Sequence, residues 1–96
     1  MTKDEILREA ERLLEVDRAD DYGDAFDTHS RIATMWNALF PFAGFTAADV
    51  ATAMACVKII RSHKSPKKAD SYVDGAAYFA MAGEFATEGI DYAPQS

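Results

Sequence analysis

An all-α fold is what this chain of 96 residues predicts. Three observations carry that prediction. Apolar residues recur at three- and four-residue intervals in four separate stretches, capping residues stand ahead of them, and no stretch alternates apolar and polar with the period of a strand. The length suits one domain over residues 1–96, with an ordered core over about 3–88 and a flexible tail over 91–96. Hydrophobic residues make up 49% of the chain, too many for a disordered polypeptide.

The first helix is signalled by Thr2 and Glu5, whose spacing is that of a capping box. Ile6, Leu7, Ala10, Leu13 and Leu14 then form one apolar stripe, with Lys3, Arg8, Glu9, Glu11, Arg12 and Glu15 on the wet side. Asp17, Asp20, Asp21, Gly23 and Asp24 follow, dense in turn formers, and predict a loop. A second helix is expected over residues 25–40, with Phe26, Ile32, Ala33, Trp36, Leu39 and Phe40 on its inner face and Asp24 or Asp27 as its cap. Pro41 ends it, and Phe42 to Phe45 make a hydrophobic turn.

Thr46 caps a third helix, with Asp49 three residues on. The run from Val50 to Val57 is apolar nearly all the way round, a pattern that predicts a central, buried helix with Cys56 inside it. Lys58 and Arg61 break that pattern on one side. The basic run from His63 to Lys68, interrupted by Pro66, is the next loop. Asp70 is the expected cap of a fourth helix over about residues 71–87, with Val73, Ala76, Ala77, Ala80, Met81 and Phe85 facing inward. Gly75 and Gly83 would let a neighbouring helix come close, and Gly89 ends it.

Charge and composition narrow the function. A net charge of -6 disfavours general binding to DNA. One cysteine excludes an intrachain disulfide. No signal-peptide pattern opens the chain and no apolar run is long enough to cross a bilayer, so the expected compartment is the cytoplasm, with no membrane partner. A chain this short buries only about 60–65% of its unfolded surface, so association into a homo-oligomer is expected.

The short loop between helices three and four predicts an antiparallel hairpin. Folding it about Ser65 and Pro66 brings Arg61 level with Asp70 and Lys58 level with Asp74, and Tyr78 extends that face by a turn. This polar ladder has two readings. One is a structural pair of salt bridges that sets helix register. The other is a phosphate site, with Lys58, Arg61 and Lys64 on the anion and Asp70 and Asp74 orienting the cations or holding Mg²⁺. Tyr22 and Trp36 are candidates to stack on a base, with core packing the favoured reading for Trp36, and His29 reads as a ligand, an acid–base residue or a surface residue. Asp20, Asp21, Asp24 and Asp27 read either as caps and turns or as hard-cation ligands. No P-loop, GxGxxG, CxxC, HExxH or serine nucleophile elbow is present.

The succession Asp20 to Phe26, His29, Ile32-Ala33, Trp36, Thr46, Asp49-Val50, Lys58, Arg61, Ser65-Pro66 and Asp70 to Tyr78 resembles a family of small phage and prophage proteins, over about residues 10–88. The resemblance implies a phage origin and a place in the cytoplasm of an infected bacterium. A more distant likeness is to the all-α nucleotide pyrophosphohydrolases of the MazG-like type, which handle nucleoside triphosphates with Mg²⁺. Glu9, Glu11 and Glu15 do not reproduce their EExxE helix, and Asp70 and Asp74, four apart and not three, only loosely echo their ExxD helix. The expected function is nucleotide binding without turnover, as in phage proteins that sequester host immune-signalling nucleotides. The alternatives are a MazG-like, Mg²⁺-dependent pyrophosphohydrolase and a phage structural or protein-interaction module.

Overall fold

A computed structural model describes residues 1–19 and 25–88. Among them the helices run in the order α1 (Lys3–Ala19), α2 (Ala25–Leu39), α3 (Ala47–Lys64) and α4 (Ala69–Thr87), with no strand. The all-α prediction holds. The acidic loop and the tail beyond Glu88 lie outside the described residues, as do the expectations placed on them.

Local chemistry explains where the helices begin. At α1 the backbone N–H of Thr2 donates to Glu5 Oε1 at 2.8 Å, and the N–H of Glu5 donates to Thr2 Oγ1 at 3.2 Å. Thr46 and Asp49 make the same reciprocal pair at α3, at 2.9 and 3.2 Å. Each box satisfies amides that have no partner inside the helix. The expected cap at Asp70 is corrected. α4 starts two residues earlier, with Lys68 at the cap position in extended geometry and no side-chain cap bond, so Asp70 lies in the first turn. The Tyr72 hydroxyl donates to Pro66 O at 3.0 Å and ties this helix start to its loop.

The turn between α2 and α3 is clamped by one side chain. The Asn37 amide donates to Phe45 O at 2.9 Å and accepts from Phe45 N–H at 2.7 Å. Asn37 thereby does for an isolated residue what a neighbouring strand would do. Gly44 has φ +68°, a left-handed conformation that suits glycine. Phe45 then packs edge-on against Trp36, with centroids 5.3 Å apart.

α3 and α4 pack along each other and form the middle of the molecule. α1 lies on α4, and α2 lies on α3. The α3–α4 seam is made of small residues: Ala47, Ala51 and Ala82 are buried beside Met81 and Phe85. Phe85 is the aromatic hub, meeting the rings of Phe26 and His29 at centroid distances of 5.6 Å each. A second cluster joins Ala10 of α1 to Val73 and Ala77 of α4.

Four burial expectations are corrected. α3 is not enclosed: Thr52, Cys56, Val57, Ile59 and Ile60 are exposed, because its neighbours α4 and α2 cover only part of its circumference. Cys56 is accordingly exposed. Leu39 and Phe40 are exposed as well, since α2 stops there and the chain turns away at Pro41. Ala80 also faces outward, while Ala82 takes the inner position.

Candidate functional site

The expected polar ladder divides. Lys58 Nζ meets Asp74 Oδ2 at 3.2 Å, with side chains 19% and 34% exposed. The half that was to join Arg61 to Asp70 makes no ion pair among the described residues, and both residues are exposed. Helix geometry accounts for the difference. Three residues from Lys58 to Arg61 fall about 60° short of a full turn, which carries Arg61 round the helix and away from α4. Lys64 is exposed in the last turn of α3.

Tyr78 is half-buried and turns toward the core, with its ring centroid 6.2 Å from that of His29. His29 is buried, and its Nδ1 donates to Ala25 O at 2.6 Å. Between Tyr78 and Phe85, the imidazole packs as one more ring of the core. Tyr22 lies outside the described residues. Among the described residues no group of three or more His, Cys, Asp or Glu side chains is placed to hold a metal ion. Asp74 is engaged by Lys58, and Asp70 stands apart from it in the first turn of α4.

Beside the Lys58–Asp74 pair, on the outer flank of the hairpin, runs a groove of about 430 Å³. That volume lies in the range of about 300–1,000 Å³ typical of small-molecule sites. Ala55, Cys56, Gly75 and Ala76 are among its small lining residues, while Ile59, Tyr72 and Phe79 are its large ones. No carboxylate lines it. Lys58 contributes mainly its stem: a Cβ on Gly75 would lie 3.5 Å from the Lys58 Cβ, so the helices are close there, while the ammonium reaches Asp74. Ser62 also lines the groove, but its hydroxyl donates to Ile59 O at 2.6 Å.

Sequence reasoning placed Lys58 here and missed Cys56, Ile59 and Phe79 as exposed lining. The signal was present in α3, which has more apolar positions than one buried face can use. On α4, Phe79 stands seven residues after Tyr72, two turns along the same flank.

Comparison with known proteins sets this geometry in a lineage. The family described as "Domain of unknown function (DUF6378)" matches residues 5–86. The chain is also similar to the "Gene 55 protein" of Mycobacterium phage L5, 44% identical over 73 residues. That stretch is 76% of this chain and 47% of the phage protein, so the chain spans about half the length of its relative. No solved structure matches.

Proposed function

The chain belongs to the DUF6378 family, and from that premise we propose that it is a phage-type protein-interaction module, acting by association and not by turnover. The observation that carries this reading is the bare outer flank of the α3–α4 hairpin. There Ile59 and Phe79 are 53% and 64% exposed around a groove floored by small residues. Large apolar side chains grouped on one flank, with no carboxylate among them, mark a surface that another molecule covers. The phage relative supports the phage setting.

A second reading is favoured by the groove's volume and its two aromatic side chains. A nucleotide held without turnover would place its base between Tyr72 and Phe79. Its phosphates would lie toward the basic hairpin tip, where Arg61, Lys64, Lys67 and Lys68 are exposed. Native mass spectrometry of freshly purified protein separates the two. The interaction reading expects assemblies heavier than one chain and no added nucleotide mass. A single-chain mass carrying a nucleotide would overturn it in favour of the second reading.

A further inference from the structure

We propose that the occupant of the α3–α4 flank is a second copy of the same chain, docked antiparallel about a twofold axis that passes near Cys56 and Phe79. This inference rests on the interaction reading and names its partner.

Three observations support a second copy. The first is shape. The flank carries both knobs and holes: Ile59 and Phe79 stand out, and the floor of Ala55, Gly75 and Ala76 lies between them. A twofold interface needs a self-complementary patch of this kind, because the same surface must serve on both sides.

The second is area. Cys56, Ile59, Ile60, Tyr72 and Phe79 are exposed on or beside this flank. Half-exposed side chains of this size leave on the order of 500–600 Å² open on each copy. Two copies would then bury about 1,100 Å², near the lower bound of roughly 1,200 Å² for specific interfaces. Exposed Thr52, Gly83 and Ala86 extend the same flank without adding charge.

The third is charge, which selects the antiparallel arrangement. The hairpin tip exposes Arg61, His63, Lys64, Lys67 and Lys68. The opposite end exposes Asp49 and Glu88. Two copies docked head to tail set each basic tip beside the other's acidic end. Docked head to head, they would bring like charges together. At net charge -6 the copies repel at long range, so a carboxylate-free contact with opposite charges at its ends is the arrangement that overcomes that repulsion.

The test uses the whole chain. Sedimentation equilibrium should show a monomer–dimer equilibrium, and a short bismaleimide should link the copies through Cys56. Phe79→Glu should raise the dimer dissociation constant by roughly 30-fold or more while leaving the helical circular dichroism intact. Phe79→Ser serves as a milder variant should the charge disturb folding. Lys64→Glu with Lys68→Glu should also weaken the dimer, and adding Glu88→Lys should restore part of the loss. A monomer at every concentration overturns the inference. Rapid alkylation of Cys56 in that monomer would leave the open interaction surface standing, whereas a slow reaction would remove it too. A dimer that survives Phe79→Glu and resists Cys56 linking overturns the inference and leaves association itself in place.

Discussion

Phe85 and Phe79 are the same residue type on the same helix, six positions apart, and the fold treats them in opposite ways. Phe85 is buried and meets the rings of Phe26 and His29. Its replacement by alanine removes contacts on two elements and leaves a cavity, so Phe85→Ala should cost about 3–5 kcal/mol in denaturant unfolding. Phe79→Ala should cost well under 1 kcal/mol in dilute protein, because most of that ring already faces water. Equal losses at the two positions would contradict their difference in burial. Asn37 belongs at this scale as well. Its amide tethers the Phe45 backbone through two hydrogen bonds. Asn37→Ala should therefore cost about 1–3 kcal/mol, the penalty of leaving backbone groups unpaired. Nothing in the sequence singled it out, because the two bonds depend on a turn that brings residues eight apart together.

At the scale of elements, local grammar was legible and mutual coverage was not. Both capping boxes could be read from spacing, since Thr2 with Glu5 and Thr46 with Asp49 act within a single turn. The Lys58–Asp74 pair could be read from the length of one loop. Exposure of α3 could not, because periodicity tells which positions are apolar and says nothing of which neighbour covers them. Arg61 and Asp70 were level along the hairpin but on diverging faces, a rotation that counting residues from the loop does not capture. The cap of α1 carries a pH dependence. Hydrogen bonds from the Thr2 backbone and side chain hold the Glu5 carboxyl below its ordinary value of 4.5. A carboxyl depressed in the folded state stabilises above its unfolded value and loses that effect as pH falls through the lower, folded one. Amide exchange in the first turn of α1 should therefore speed up on acidification below pH 4.5, relative to the middle of the helix and after correction for intrinsic rates. A Glu5→Gln variant should show a much smaller response. In α4, Gly83 is exposed, and a Cβ there would meet nothing within 4 Å. Gly83→Ala should stabilise the helix by about 0.5–1 kcal/mol, read as a higher midpoint in urea.

For the whole molecule, the composition of the core matters more than the number of helices. Among the described residues eleven hydrophobic ones are buried, seven of them alanine, and the largest fully buried side chain among them is Val50. Alanine lets helices approach closely but removes little apolar surface from water, and each buried methylene contributes only about 0.8 kcal/mol. Several bulky side chains of the kind a small domain ordinarily places inside are outside: Ile59, Ile60, Phe79 and Leu39 are all exposed. A monomer built this way should be marginal, and a contact that covers the α3–α4 flank should contribute a large share of total stability. Stability linked to association follows mass action, so the melting temperature should rise with protein concentration. The rise should be present in the native chain and absent in Phe79→Glu, whose melting temperature should be lower at high concentration and independent of dilution. A native chain whose melting temperature does not move with concentration would mean that the alanine core suffices alone, and the exposed isoleucines and phenylalanine would then contribute nothing to folding stability.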